Sequence, residues 1–233
     1  MNSTPIPLSN FLSEGAYIGN LYDFIDADGM RLIESKAKEI DNYVESNKKA
    51  ILKCRYNYAP EPQPYKHQIS FKEVPERDSY VKENNLTATQ KWYEFYAGEQ
   101  YHQYFYHLSK KILKTIYPDT KLERSSAMGD FTLYEDSHFI DSHRDGYNNG
   151  RLCVLIMYLS KESDYNDGGG ELVITTNSGA QHTIKPLLGT FSILDFSKSD
   201  LIHEVKKVKN GFKRYAFINF FKSENIETKN IVW

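Results

Sequence analysis

His143 and Asp145 are separated by one residue; a second imidazole, His203, follows much later in the chain, with Arg214 behind it. Two imidazoles and one carboxylate can occupy one face of a ferrous ion and leave the opposite face open. Open positions let such an ion hold an oxo acid and dioxygen side by side, so the chemistry within reach of this set is oxidative. Arg214 then has a matching task, because a planar guanidinium can grip the far carboxylate of an oxo acid through two parallel hydrogen bonds. On an extended strand, residues i and i+2 point to one side, so His143 and Asp145 converge while Arg144 points away. His-x-Asp is a common pattern, and hydrogen bonding at a sheet edge remains the competing account of the three residues taken alone.

The 233 residues suffice for one domain with an N-terminal elaboration and a sizeable core. Residues 1–23 read as an irregular lead-in. From a cap at Asp26 or Asp28, Leu32, Ile33, Ala37, Ile40 and Val44 recur at helical spacing, which predicts an amphipathic helix to about residue 46. Pro60, Pro62, Pro64 and Pro75 amid polar residues predict a long loop over about 54–88. A second helix is expected from about 89 to 117, with Trp92, Phe95, Tyr104, Phe105, Leu108, Ile112 and Leu113 as its apolar positions. Short β-branched and aromatic segments follow at 131–134, 152–158, 172–176, 190–196 and 215–221. Turn residues stand between them at 146–150, 167–170 and Asn210-Gly211. The pattern predicts an α+β chain: helical support over 1–120, a two-sheet antiparallel core over 121–222, and a polar tail over 223–233.

A net charge of −2 provides no global field for nucleic acid or anionic membrane. The basic cluster Lys206, Lys207, Lys209 and Lys213 reads as a solvated hairpin. Cys54 and Cys153 form no metal-binding spacing, and Cys153 lies in an apolar run as an inert buried thiol. The apolar run 152–159 is too short to span a bilayer, and no secretory start is visible, so the expected location is cytoplasmic. The Asn-x-Thr patterns at Asn2 and Asn85 are then chance occurrences. Gly168-Gly169-Gly170 lacks a following Gly-Lys-Ser/Thr and precedes a strand, so it reads as a hairpin turn rather than a phosphate cradle. His67, His102, His107, His138 and His182 have no ligand context.

The segment 131–221 resembles the catalytic core of the 2-oxoglutarate and Fe(II)-dependent dioxygenases, in their prolyl 4-hydroxylase-like branch. The similar elements occur in order: Tyr134, His143-Arg144-Asp145, Arg151, Tyr158-Leu159, Gly169-Gly170-Glu171-Leu172, Pro186, Gly189, Phe196, His203-Glu204-Val205, Val208, Gly211 and Arg214-Tyr215. The resemblance implies a double-stranded β-helix, or jelly roll, braced by the N-terminal helices. It implies Fe(II) held by His143, Asp145 and His203, and 2-oxoglutarate held by Arg214 with help from the hydroxyls of Tyr134 and Tyr158. Arg151 falls at a position near the substrate. Dioxygen is the second cosubstrate, and the family leaves room for ascorbate.

The activity so implied is hydroxylation of an unactivated C–H bond, with a prolyl residue of a protein or peptide as first choice of substrate. A free amino acid or other small metabolite is the alternative. Retention of Asp145 fits hydroxylation, since related halogenases lose that carboxylate. A nucleic-acid demethylase of the superfamily would carry a second arginine six positions after the first, where this chain has Phe220. A noncatalytic jelly-roll binding module would have no use for Arg214. Oligomeric state has no sequence signal here.

Overall fold

The computed structural model describes residues 15–60, 69–71, 82–83, 86–145, 151–197 and 201–223. Its first strand, β1 (Ala16–Asn20), lies where an irregular lead-in was expected and pairs with a strand far along the chain, β10 (Thr190–Asp195). Helix α1 (Ala27–Ile51) follows a 3-10 turn at Leu21–Asp23. Asp26 caps it, its carboxylate accepting from the Gly29 N–H at 2.8 Å. Met30, Ile33, Ala37, Ile40 and Val44 form its buried stripe, while Leu32 stays on the solvent side. Asp26→Ala is expected to cost about 1 kcal/mol. For a chain of this size that lowers the melting temperature by about 2–4 °C, which a thermal melt followed by circular dichroism measures.

The long loop expected over 54–88 is a correction. Its described part is mostly strand, comprising β2 (Lys53–Pro60), β3 (Ile69–Phe71) and the start of β4 (Leu86–Phe95); 61–68, 72–81 and 84–85 lie outside the described residues. β2 pairs antiparallel with both β3 and β4, and Pro60 falls at its end, where a missing donor does least harm. The second helix is corrected too: α2 (Glu99–Ile116) begins ten residues later than expected. Gly98, at φ 115, separates strand from helix with a backbone conformation that other residues resist.

The remaining strands are β5 (Leu122–Tyr134), β6 (Phe139–His143), β7 (Arg151–Tyr158), β8 (Leu172–Thr175), β9 (Gln181–Ile184), β11 (Ile202–Val205) and β12 (Arg214–Ser223). The hydrogen-bonded order is β1-β10-β7-β12-β5-β4-β6-β11-β8-β9. All strand pairings along it are antiparallel. β4 joins the two halves, pairing with β5 through Tyr93–Phe95 and with β6 through Gln90 and Lys91. The result is the nearly closed antiparallel jelly roll that the resemblance implied.

Alternation along β12 shows how the layers form. Tyr215, Phe217 and Phe221 join the core beneath the helices, where Phe105, Ile112 and Leu113 of α2 meet them. Ala216, Ile218 and Phe220 turn the other way, into the space between the sheets. Each fully buried phenylalanine or leucine stabilises by roughly 2 kcal/mol, so this helix-backed sheet is a stiff base for what lies inside. Cys153 is buried in it, and burial pushes its thiol pKa well up, as expected of an inert residue. The turns at Asp167–Gly170 and Asn210–Gly211 contain the expected left-handed residues; 146–150, 1–14 and the tail 224–233 lie outside the described residues.

Candidate metal centre and cosubstrate cavity

His143 ends β6 and stands opposite His203 of β11, with a register irregularity just beyond, between His203 and Val205. This pairing brings the imidazole centroids to 4.2 Å. Asp145 reaches both: its carboxylate oxygens lie 3.4 Å from Nε2 of His143 and 3.6 Å from Nε2 of His203. One potential ligand atom from each residue falls within 4.8 Å of the other two. Donors bound to one ion at about 2.1 Å on neighbouring corners sit roughly 3 Å apart, so the set fits a single first-row metal ion. Nδ1 of His143 lies 2.9 Å from the Asp141 carbonyl, which makes it the protonated nitrogen and leaves Nε2 as the metal-facing lone pair.

The protonation states suit ligation. Burial pushes the His203 pKa down to about 4, so its imidazole is neutral at physiological pH. Burial raises the Asp145 pKa, but the two histidines and Arg151 outweigh that and hold it at about 2, so it remains a carboxylate. For His143 burial opposes the charged form, yet the Asp145 hydrogen bond and charge win and raise its pKa. A cation entering here would displace that proton.

The three residues line a cavity of about 520 Å³ that Arg214 and Tyr134 also line. Arg214, the first residue of β12, is 1% exposed. Its Nε donates to the Gly170 carbonyl at 2.7 Å, and its guanidinium packs 4.7 Å from the Tyr134 ring and 5.3 Å from the Tyr158 ring. Nη1 is buried without a hydrogen-bond partner, and Arg214 has no ion pair among the described residues. A buried cation left in this state costs several kcal/mol, which an anion entering the cavity would recover. Gly170, at φ +72, makes room for this side chain, since a Cβ there would stand 3.0 Å from Arg214 Cδ.

The sequence-predicted residues separate into two layers. His143, Asp145, His203, Arg214 and Tyr134 share the cavity, whereas Tyr158 and Arg151 stand behind its wall. The Tyr158 hydroxyl is 3.2 Å from that of Ser192, so the ring supports Arg214 from behind. Arg151 lies 4.2 Å from the ring of Phe220, which does line the cavity. Burial raises the pKa of both tyrosines against the opposing charge of Arg214, keeping their hydroxyls protonated as donors.

Sequence reasoning missed the wall made by Arg55 on β2 and by Gln90, Trp92 and Glu94 on β4. A strand period was available, since 90, 92 and 94 share one face. Trp92 and Phe95 also fit a helical i, i+3 spacing, and that reading prevailed.

An antiparallel jelly roll holding two histidines and an aspartate around a cavity with a buried arginine defines a class of non-haem metal oxygenase. Residues 129–222 match the family model of the 2OG-Fe(II) oxygenase superfamily, in line with the resemblance, and together with the His143, Asp145 and His203 cluster this match supports an oxygenase that uses Fe(II) and 2-oxoglutarate. The fold is similar to a prolyl-4-hydroxylase from Pseudomonas putida, at 17% identity and TM-score 0.51, covering 92% of this chain and 96% of that one. It is also similar to a Trichoplax adhaerens prolyl hydroxylase in complex with a hypoxia inducible factor oxygen degradation domain peptide fragment, at 16% identity and TM-score 0.59, covering 93% of this chain and 87% of that one. A 2OG-Fe(II) oxygenase family protein from Burkholderia pseudomallei shows 12% identity and TM-score 0.52 over 95% of this chain and 93% of that one. A search of curated proteins gave no match. Among the described residues no helix is long and apolar enough to cross a membrane.

Proposed function

We propose that this protein hydroxylates an unactivated C–H bond of a prolyl residue in a protein or peptide, with His143, Asp145 and His203 holding Fe(II) and Arg214 holding 2-oxoglutarate. The observation that carries the reading is the buried guanidinium of Arg214, without an ion pair among the described residues, in the same cavity as the His/Asp/His cluster. A dicarboxylate cosubstrate answers both needs at once, with one end for a metal and one for a guanidinium. When bound, iron and 2-oxoglutarate supply the oxidising power, with dioxygen converting 2-oxoglutarate to succinate and carbon dioxide as one oxygen atom enters the substrate.

The chain's residues set the stage for that reaction. Neutral His203 and ionised Asp145 offer lone pairs without prior loss of a proton. Arg214 is held from two sides by Tyr134 and Tyr158 and through Nε by Gly170, which leaves Nη1 for the incoming carboxylate. The Tyr134 hydroxyl, kept protonated, is a second donor on the same wall. Val154, Ile156 and Leu172 give the cavity an apolar lining that limits water around the reacting bond. Arg151, whose buried Nε has no partner among the described residues, lies behind the wall against Phe220 and is assigned to the substrate through that ring.

The prolyl assignment draws support from the two prolyl hydroxylases that share the fold, one of them described with a peptide bound. The test is succinate formation from 2-oxoglutarate with Fe(II), screened across proline-containing peptides and free amino acids. Proline-dependent succinate release together with a mass gain of one oxygen on the peptide is the expected result. Turnover with free amino acids alone would reject the peptidyl assignment.

A further inference from the structure

Arg55 and Glu94 line the cavity shared by His143, Asp145 and Arg214, yet they come from β2 and β4, outside the 129–222 match. Arg55 Nε meets Glu94 Oε2 at 2.7 Å, with the two side chains 43% and 24% exposed. The pair is therefore part of a wall open to solvent rather than a buried strut. Only one edge of each group is engaged. The Nη groups of Arg55 and Oε1 of Glu94 have no further partner among the described residues. An arginine–carboxylate pair serving structure alone gains most from the two-pronged contact, which this one does not make.

The position of the pair is fixed relative to the metal cluster. Gln90, Trp92 and Glu94 lie on one face of β4, and Arg55 is the cross-strand partner of Trp92. Gln90 pairs with Ile140 of β6, and Ile140 in turn pairs with Val205 of β11, two residues beyond His203. One hydrogen-bonded ladder thus connects the pair to the strands of both histidines. Between them the wall is apolar, formed by Trp92, Ile140 and Val205.

A free donor beside a free acceptor, neutral as a pair, matches the backbone of an extended peptide, where one residue's N–H and C=O point to the same side. We infer that Arg55 and Glu94 form a specificity-determining clasp for the backbone of a residue flanking the target. Arg55 Nη donates to that residue's carbonyl, and Glu94 Oε1 accepts from its N–H. The inference rests on the peptidyl reading above. A free amino acid would meet the same edges with a carboxylate and an ammonium, so free L-proline is the arm of the test that separates the two readings.

Trp92 provides a readout independent of turnover. With Trp233→Phe removing the chain's other tryptophan, Trp92 fluorescence reports cavity occupancy. The full chain with Mn(II) and 2-oxoglutarate is titrated with N-acetylated, C-amidated tripeptides centred on proline, and with free L-proline. The expected result is a preference for the capped peptides, weakened about tenfold or more by Arg55→Ala and by Glu94→Gln, with 2-oxoglutarate affinity retained. Arg55→Lys, which keeps the charge and loses the planar fork, weakens binding in the same direction. Capped peptides preferred but bound equally by all three variants would overturn the clasp and leave the peptidyl reading standing. Free proline bound more tightly than any capped peptide would overturn the peptidyl reading and the clasp with it.

Discussion

His203→Ala will remove the stabilisation that Fe(II) gives the folded protein, and with it succinate formation. A ligand that binds only the folded state stabilises it by about 2.7 kcal/mol at a hundred times its dissociation constant. In a chain of this size that raises the melting temperature by about 5–10 °C. The cluster depends on all three donors converging, with Asp145 within 3.4 Å and 3.6 Å of the two Nε2 atoms. Truncating His203 leaves two donors on one side and lowers affinity by more than the roughly 10- to 100-fold typical of losing a supporting contact around a metal. The His203 side chain borders the cavity, so its loss enlarges space already present and costs the metal-free fold little. Anaerobic thermal melts with and without Fe(II) test this, since the shift should vanish while the metal-free melt stays near that of the unaltered chain. A shift of equal size in His203→Ala would sink the ligand assignment.

The jelly roll and its histidines were legible for different physical reasons than the wall opposite them. Asp26 followed by Ile33, Ala37, Ile40 and Val44 announces α1, because capping and a 3.6-residue stripe are local signals. The core strands 152–158, 190–196 and 215–221 announce themselves by dense apolar runs bounded by turns. His143 ends β6 and Asp145 lies just past it, so their nearness follows from the sequence, but the strand alternation expected of them stops at His143 and Arg144 lines the cavity as well. His203 and Arg214 cannot be placed that way, because only the β6–β11 and β5–β12 pairings bring them near. The ordered resemblance supplied what spacing lacked. Arg55 and Glu94 had no such help. β2 ends in a proline-rich stretch, and β4 holds Trp92 and Phe95 at a spacing that fits a helix as well as a strand. Non-local pairing with β5 and β6 decided for strand, and Gly98 was the one local mark of the boundary. The residues assigned to general oxygenase chemistry were thus the legible ones, while Arg55 and Glu94 came from the misread third of the chain.

Arg214→Met will separate cosubstrate binding from folding. Removing one partner of a buried, hydrogen-bonded charge pair costs about 2–5 kcal/mol of affinity. The dissociation constant for 2-oxoglutarate should therefore rise by roughly 30-fold to several thousand-fold, measured calorimetrically with Mn(II) in place of Fe(II). Without ligand the balance differs, because the guanidinium is 1% exposed and has no ion pair among the described residues. Replacing a buried charge by an apolar side chain of similar size is often stabilising by about 1–4 kcal/mol. Loss of the Gly170 hydrogen bond and of the contacts with Tyr134 and Tyr158 offsets about 1–3 kcal/mol of that. The unliganded variant should consequently melt close to the unaltered protein, and its Fe(II) shift should persist because Arg214 is not among the three clustered ligand residues. A sharper test uses an oxo acid without the second carboxylate, such as pyruvate. The unaltered protein should prefer 2-oxoglutarate strongly, whereas in Arg214→Met the preference should collapse, since nothing then distinguishes the far end of the molecule. Arg214→Lys restores the charge without the planar fork and should recover only part of the preference. Undiminished discrimination in Arg214→Met would move the carboxylate contact to another residue and remove the main support for the cosubstrate assignment.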